Sequence, residues 1–248
     1  MASDMIGEAP ASPGTLVSAV TVVAPGTPGA RLVILGKQGA GKGTQAVRLS
    51  RHYVVPHIAT GDTFRAAIRS GSEFGILAKR YLDAGELVPD EVVIGVVKER
   101  LTHPDASHRG FVLDGFPRTV GQAEALETIL EPLNLDLVIS LEVPTAAVLT
   151  RLASRRVCSS CGANYSVPDN PPKVPGICDV CGGDVVQRDD DTEAAIRRRL
   201  ELYERETAPL VSWYSQRSLL ATIDGTGPLD EVTDRIVTEI DRRKLGAV

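Results

Sequence analysis

A glycine-rich stretch near the start of the chain lies directly between a strand pattern and a helix pattern. Residues 31–36 are RLVILG, a short apolar run typical of a buried strand, and a helical pattern follows from about Lys42. The connecting segment GKQGAGKGT, from Gly36 to Thr44, fits the pattern G-x4-G-K. A strand, such a loop and a helix in this order predict a site for a phosphorylated ligand in an α/β domain, with an ordinary glycine-rich turn as the alternative.

The residue types of this loop suit a polyanion. Gly39, Gly41 and Gly43 allow backbone N–H groups to turn toward phosphate oxygens without a clash from a Cβ atom. The helix N-terminus adds a favourable dipole, and the Lys42 ammonium can reach the outer phosphates. The hydroxyl that usually follows this lysine comes one residue later, at Thr44, because Gly43 occupies that position.

Strand and helix patterns alternate along the rest of the chain. Further buried strands are predicted at 110–115, 135–143 and 218–225. Helices are predicted at 90–101, 119–130, 144–155, 191–206 and 228–243. The first of these helices places five apolar residues along one face: Val92, Val93, Val96, Val97 and Leu101. This alternation predicts a parallel sheet that helices cover on both faces.

All four cysteines of the chain lie in one short segment that interrupts this alternation. They form two C-x-x-C pairs with sixteen residues between them, the spacing of a structural zinc site: Cys158, Cys161, Cys178 and Cys181. The residues between the pairs include SVPDNPPKVPG, which is too rich in proline and glycine for a helix or a central strand. We therefore predict an insertion that a bound metal, zinc or iron, stabilises, with disulfides as the alternative.

The charge of the chain bears on its partners. The 248 residues carry a formal net charge of −5, which argues against nucleic-acid binding. A zinc ribbon that contacts nucleic acid is the competing function, but between Ser159 and Val180 Lys173 is the one basic side chain and Tyr165 the one aromatic. No apolar run approaches the roughly 18 residues that span a bilayer. We expect neither a nucleic-acid nor a membrane partner, and the clustered cysteines favour the cytoplasm.

Several segments, in the same order along the chain, resemble the adenylate kinase family of nucleoside monophosphate kinases. Beside the G-K-G-T of the loop, they are IATGDTFRAAIRSGSEFG (58–75), DAGELVPDEVV (83–93), GFVLDGFPRTVGQA (110–123) and RRRLELYERETAPL (197–210). The cysteine segment is similar to the zinc-carrying long lid of some bacterial members. The resemblance covers the chain from about Arg31 to the C-terminus, and it departs from the family at Gln38, where a proline is usual.

The resemblance implies a P-loop NTPase-type α/β fold, a three-layer parallel sheet with helices on both faces, plus a small helical AMP-binding insert and a zinc-stapled β lid. The implied parts are a core of 31–58, 89–153 and 192–248, an AMP-binding region at 59–88 and a lid at 154–191. Residues 1–30, rich in small and turn-forming residues, are predicted to be a disordered extension. The implied reaction is the reversible transfer of the terminal phosphoryl group of ATP, bound with Mg²⁺, to AMP, which gives two ADP. We expect a monomer.

The resemblance also implies the residues of the site. The catalytic set would be Lys42, Arg118, Arg155, Arg188 and Arg199. ATP would contact Gly39, Ala40, Gly41, Lys42, Gly43, Thr44, Arg151, Arg155, Asn164, Tyr165 and Gly227. AMP would contact Thr60, Arg65, Glu86, Leu87, Val88, Gly115, Phe116, Pro117, Arg118, Gln122, Arg188 and Arg199. Asp114 would hold Mg²⁺ through water.

Other roles are open for some of these residues. The arginines, Arg151 and Arg199 above all, can be solvated surface residues instead of phosphate ligands. Tyr165 can be a packing residue of the lid, and Asp114 a turn or capping residue. Thr60 favours AMP over pyrimidine monophosphates as the acceptor. GTP is the alternative phosphoryl donor, although the cysteine lid favours ATP.

Overall fold

The computed structural model describes residues 29–69, 71, 73–84, 86–167, 170–188 and 191–245. The disordered extension was predicted at residues 1–30. Residues 1–28 of this extension lie outside the described residues. Its predicted boundary is slightly late, because residue 30 already belongs to the first strand. Within the described part of the chain, no helix combines the length and the apolar character needed to cross a membrane.

The described residues form eight strands in two sheets. In chain order they are β1 (Ala30–Leu35), β2 (His57–Ala59), β3 (Gly110–Asp114), β4 (Leu137–Glu142), β5 (Arg155–Cys158), β6 (Asn164–Ser166), β7 (Val185–Val186) and β8 (Leu220–Asp224). The larger sheet has the order β2-β3-β1-β4-β8, and all its neighbouring strands are parallel. The predicted parallel sheet is confirmed. Of its five strands, β2 was not predicted, because three residues are too few to show a strand pattern.

Helices connect these strands. In chain order they are α1 (Lys42–Tyr53), α2 (Thr60–Arg69), α3 (Glu73–Ala84), α4 (Asp90–Leu101), α5 (Pro104–Ser107), α6 (Val120–Leu130), α7 (Thr145–Ser154), α8 (Glu193–Leu202), α9 (Pro209–Gln216) and α10 (Leu229–Leu245). The pattern at 191–206 predicted one continuous helix, but α8 gives way to a π-helical turn at Tyr203–Thr207. In this turn the Ala208 N–H donates to the Tyr203 carbonyl oxygen, five residues back.

The helices cover both faces of the larger sheet, as predicted. Along β1, Leu32 and Ile34 belong to one buried cluster, and Val33 and Leu35 belong to the cluster on the opposite face. The first cluster contains side chains of α1, α7 and α10, and the second contains side chains of α4, α6 and α9. Because β1 is covered on both sides, its sequence is continuously apolar rather than alternating.

The predicted apolar face of α4 is also present. Val93, Val97 and Leu101 are buried against the sheet, while Val92 and Val96 are partly buried. Complete burial of such a side chain contributes about 1.5–3 kcal/mol to stability. α4, which follows the α2–α3 insert in the chain, is therefore firmly packed on the core.

Two inserts interrupt the succession of strands and helices. One is the helix pair α2 and α3, which lies between β2 and α4 in the chain. The other is the smaller antiparallel sheet, with the order β6-β5-β7, between α7 and α8. The second insert contains the cysteines and corresponds to the β lid expected from the sequence. We keep the name lid for residues 154–191.

Candidate active site

The glycine-rich loop joins β1 to α1 with a backbone that only glycine adopts easily. Gly39 and Gly41 have φ angles of +83° and +103°, in the left-handed region. A Cβ atom on Gly39 would also lie 2.8 Å from Cγ of Leu152. Gly43 is helical, but a Cβ there would lie 3.3 Å from an Asp114 carboxylate oxygen. Close approach to this carboxylate is a reason for glycine in place of the usual hydroxyl residue.

Lys42 is folded back over this loop. Its Nζ donates to the carbonyl oxygens of Gly36 at 2.7 Å and Lys37 at 2.9 Å. Burial lowers the pKa of Lys42 from 10.5 to about 8, against the opposing pull of Asp114 and with the help of Arg118 and Arg155. The ammonium is thus a poorly solvated cation that a bound anion would stabilise.

A cleft of about 770 Å³ opens beside this loop, at the carboxyl ends of the parallel strands. Seven basic side chains line it: Lys42, Arg65, Arg118, Arg151, Arg155, Arg188 and Arg199. The acidic side chains among its described lining residues are Asp62, Glu86 and Asp114. A chain with a net charge of −5 therefore contains a cleft lined mainly by positive charges. This positive charge suits a polyphosphate ligand.

Arg118 and Asp114 lie at the end of β3, where the sequence predicted a ligand site. The Arg118 Nε–H donates to the Gly115 carbonyl oxygen at 2.8 Å, and burial lowers the pKa of its guanidinium. Burial opposes the ionisation of Asp114, but His57, whose Nε2 is 3.7 Å from Oδ2, and Lys42 hold the carboxyl pKa below its usual value. Asp114 is therefore a partly buried, ionised carboxylate among cations.

Arg155 has a carboxylate partner that the sequence did not predict. Its Nε–H donates to Oδ2 of Asp191 at 2.8 Å, and its Nη2 contacts Oδ1 of the same carboxylate. The Asp191 side chain is fully buried. Gln38, the residue that departs from the family pattern, donates to Oδ1 of Asp191 at 3.3 Å. The glycine-rich loop is thereby connected to both ends of the lid.

Three other arginines of the cleft contact acceptors of the protein. Arg151 donates to the carbonyl oxygens of Ala40 at 3.1 Å and Gly225 at 3.2 Å. Asp62 contacts the Nη2 atom of Arg65 and lies 3.8 Å from Nη2 of Arg188. These contacts orient the guanidinium groups of Arg65, Arg151 and Arg188, so these three arginines are not simply solvated.

The residues expected to contact ATP border the cleft as a complete set, from the glycine-rich loop, α7, the lid and the loop after β8. Of those expected to contact AMP, the cleft is lined by Arg65, Glu86, Leu87, Gly115, Pro117, Arg118, Arg188 and Arg199. The structure does not place four others in its lining: Thr60, Val88, Phe116 and Gln122. The binding roles of all these residues, inside and outside the lining, stay predictions.

Two of these four residues are buried polar groups behind the cleft wall. The Thr60 hydroxyl donates to the Gly115 carbonyl oxygen at 3.0 Å. The Gln122 amide accepts from the Arg118 N–H at 2.8 Å and donates to Oδ1 of Asp90 at 2.6 Å. Asp90 was expected only as a helix start, and its long-range role in orienting Gln122 left no signal in the sequence.

The four cysteine sulfurs converge in the lid. All lie within 4.8 Å of one another, with Cys158 and Cys181 Sγ 3.5 Å apart and Cys161 and Cys178 Sγ 3.6 Å apart. Sulfurs that share one tetrahedral zinc at about 2.3 Å lie roughly 3.8 Å from each other, so the four residues fit this ion. The cysteines are free rather than disulfide-bonded.

The backbone and a tyrosine direct hydrogen bonds at these sulfurs. The Val180 N–H donates to Cys178 Sγ at 3.4 Å, and the Tyr165 hydroxyl lies 3.3 Å from the same sulfur. The Tyr165 contact lowers the pKa of the Cys178 thiol to about 6, and an N–H of Cys161 lowers the pKa of Cys158. Donors that stabilise thiolates are typical of the surroundings of a metal–thiolate site.

The parallel sheet, the glycine-rich loop at the end of β1 and the cationic cleft define a nucleotide-binding protein of the P-loop class. The family model described as adenylate kinase matches residues 34–219. An adenylate kinase of Clostridium botulinum (strain Loch Maree / Type A3) is 50% identical over 216 residues, 86% of this chain and 100% of that protein. An adenylate kinase of Thermodesulfovibrio yellowstonii is 51% identical over 215 residues, 86% of this chain and 100% of its own length. One of Moorella thermoacetica is 56% identical over 204 residues, which cover 82% and 94% of the two chains.

The chain belongs to the adenylate kinase family. It is accordingly a phosphotransferase that acts on nucleotides. The resemblance and the fold class predicted from the sequence are confirmed.

Proposed function

We propose that this protein transfers the terminal phosphoryl group of ATP reversibly to AMP and forms two ADP. The observation that carries this proposal is the cleft, where seven basic side chains surround a glycine-rich phosphate loop at the carboxyl ends of the strands. ATP and AMP together bring roughly six negative charges into one site, and phosphoryl transfer depends on neutralising and aligning them.

The chain offers two kinds of phosphate ligand for the donor. The backbone N–H groups of residues 39–44 and the α1 N-terminus face the phosphate chain of ATP, and Lys42 binds its outer phosphates. A bound phosphate replaces the two carbonyl oxygens that Lys42 contacts in the structure. Because burial has already removed much of the hydration of Lys42, less water is lost when the phosphate binds.

The arginines hold the group in transfer. An oxygen of the AMP phosphate attacks the terminal phosphorus of ATP, and the bond from that phosphorus to the bridging oxygen of ADP breaks in line. Arg118, Arg155, Arg188 and Arg199 stabilise the charge on the oxygens of the transferred group, since a guanidinium binds them in pairs. The attacking phosphate oxygen is already ionised, so the step needs no general base.

Asp114 is the residue that would hold Mg²⁺, through water. Its carboxylate is kept ionised beside Lys42 and close to Gly43 of the loop, which suits a hydrated hard cation. When bound, Mg²⁺ neutralises charge on the phosphates of ATP. Asp114 itself would orient the water bound to Mg²⁺. Its negative charge also offsets part of the positive charge of the surrounding basic side chains.

The acceptor side is assigned to the polar residues around the end of β3. We infer that Thr60, Gln122 and the backbone of 86–88 recognise adenine, and that Arg65 binds the AMP phosphate. Gln122 is already hydrogen-bonded at both ends of its amide, which leaves one N–H and one oxygen lone pair for a base. An adenine edge offers the matching acceptor and donor, whereas the guanine edge offers the reverse order.

The lid carries a structural zinc ion in this proposal. Four thiolates complete a tetrahedral shell and leave no position for water or substrate, so the ion stabilises the lid and takes no part in the chemistry. Since the insert is short and rich in proline and glycine, it needs this stabilisation to fold. Four free cysteines suit the cytoplasm. A monomer, and the absence of nucleic-acid and membrane partners, stay predictions.

The experiment that tests the function is a coupled assay of ADP formation with ATP or GTP as donor and each nucleoside monophosphate as acceptor. AMP with ATP is expected to give the highest kcat/KM. Arg118→Ala should lower this value by about 10² to 10⁴. Arg217→Ala is the matched control, because Arg217 lies over the Trp213 ring outside the cleft lining. A higher kcat/KM with UMP or CMP would refute the assignment of the acceptor.

A further inference from the structure

Tyr165 connects the cysteine site to the nucleotide cleft. The residue lies on β6, is 7% exposed and borders the cleft. Its hydroxyl is 3.3 Å from Cys178 Sγ and 2.8 Å from the backbone nitrogen of Asp179. The family resemblance assigned Tyr165 to ATP, but in the structure its polar atom contacts a cysteine and the backbone beside it.

The direction of these two hydrogen bonds follows from the groups themselves. The Asp179 backbone N–H can only donate, so the Tyr165 oxygen accepts that hydrogen bond. The phenolic proton is then left for Cys178 Sγ, an acceptor when it is a thiolate. The Val180 N–H donates to the same sulfur at 3.4 Å. Cys178 Sγ therefore receives a backbone donor and a side-chain hydroxyl donor.

We propose that the Tyr165 hydroxyl is an outer-sphere partner of the metal in the lid, which fixes and stabilises the Cys178 thiolate, and that it does not contact ATP. This inference rests on the metal-binding lid proposed above. Any contact of Tyr165 with a nucleotide is then made by its ring or backbone. The residue has two separable roles, because its hydroxyl serves the metal and its ring serves the wall of the cleft.

Tyr165→Phe separates these roles, since it removes the hydroxyl and keeps the ring. Residues that hydrogen-bond to metal ligands typically change metal affinity by about 10–100-fold when they are lost. We expect Tyr165→Phe to raise the zinc dissociation constant by at least about tenfold, with KM for ATP within about twofold of the parent. Tyr165→Leu should raise KM for ATP as well. Tyr203→Phe is the matched control, because Tyr203 also lines the cleft but lies in the π-helical turn, outside the lid that contains the cysteines.

The assay uses the full chain loaded with zinc and a competing chelator of known affinity. Cobalt-substituted protein adds a spectroscopic readout, since the thiolate-to-cobalt charge-transfer band reports donors on the sulfur. Tyr165→Phe should shift this band and Tyr203→Phe should not. An unchanged band with zinc affinity within twofold of the parent refutes the proposal. So does a large rise of KM for ATP in zinc-loaded Tyr165→Phe, which would assign the hydroxyl to the nucleotide.

A measurement on the parent protein covers the case in which Tyr165→Phe does not fold. With the NMR-active cadmium isotope in the site, the Tyr165 hydroxyl proton should exchange slowly and show scalar coupling to the metal across the hydrogen bond. A hydroxyl proton in fast exchange with water refutes the proposal. If the parent binds no zinc, cobalt or cadmium at all, the metal-binding lid itself is wrong, and this outcome is distinct from a failure of the Tyr165 assignment.

Discussion

Replacement of Lys42 by Met tests whether its poorly solvated ammonium group binds the phosphates of ATP. Met keeps most of the length of the side chain and removes the charge. The substitution should leave the protein folded and lower kcat/KM by about 10² to 10⁴, which corresponds to about 3–5 kcal/mol of transition-state stabilisation. A folded variant with nearly normal turnover would remove Lys42 from the site.

The same substitution should change how stability depends on pH, by an amount that the structure allows us to estimate. Lys42 has its pKa lowered from 10.5 to about 8 in the folded protein. Below pH 8 the lysine is protonated in both the folded and the unfolded state, and its burial costs roughly 3 kcal/mol at 1.36 kcal/mol for each pKa unit. Above about pH 8 the folded state releases the proton first, so the stability of the parent rises until the unfolded state also loses it.

Urea unfolding of the nucleotide-free parent and of Lys42→Met at pH 7 and pH 10 measures this effect. The free energy of unfolding of the parent should gain roughly 2–3 kcal/mol relative to the variant over this interval. A constant difference, or a change of opposite sign, refutes the argument from burial. Lys37→Met is the control for activity, because Lys37 pairs with Glu204 at 3.0 Å outside the cleft lining and its loss should change kcat/KM by less than about threefold.

Three further outcomes are expected. Cys178→Ser should release about one metal ion per chain and lower the melting temperature, while phosphoryl transfer stays measurable at low temperature; an equally stable but inactive variant would assign the metal to the chemistry. Asp191→Asn should lower the free energy of unfolding by about 3 kcal/mol in urea, because it leaves Arg155 partly buried without its anion. An unchanged midpoint would contradict that reasoning. Small-angle scattering with a bisubstrate inhibitor should show compaction as the lid and the region 59–88 close, and an unchanged radius of gyration would count against closure.

Most of the fold could be predicted from the sequence, because its signals are local. The apolar runs at 31–36 and 110–115 correspond to β1 and β3, and the helix at 90–101 begins and ends as predicted. The strand β2 and the π-helical turn after α8 were not predicted. Three residues are too short for a periodic pattern, and a single inserted residue changes the backbone of a helix without changing its composition.

The site could be predicted in part, for the same physical reason. The glycine-rich loop and the cysteine pairs are motifs of adjacent residues, so their spacing is visible in the sequence. The partners that hold the cleft together are distant in the chain. Asp191 pairs with Arg155 and Gln38, which precede it by 36 and 153 residues. No composition or periodicity in the sequence marks Asp191 as a buried partner of Arg155.

These partners explain how the basic side chains stay in the cleft when no nucleotide is bound, although they repel each other. Arginines that repel each other across an empty cleft would rotate into water, and each would then lose side-chain freedom when a nucleotide binds. In the structure, Asp191 holds Arg155, Asp62 contacts Arg65, and carbonyl oxygens hold Arg151. These guanidinium groups are therefore ordered before the phosphates bind. The loss of side-chain entropy occurs on folding and does not reduce the affinity for the nucleotide. Because a carboxylate that grips an arginine through two N–H groups leaves the other three free, phosphate can bind Arg155 without displacing Asp191. In the proposed mechanism, Asp62 and Asp191 would support catalysis by orienting these cations. Asp191→Asn should therefore lower kcat/KM even though it makes the site more positive, and an unchanged kcat/KM would contradict this role.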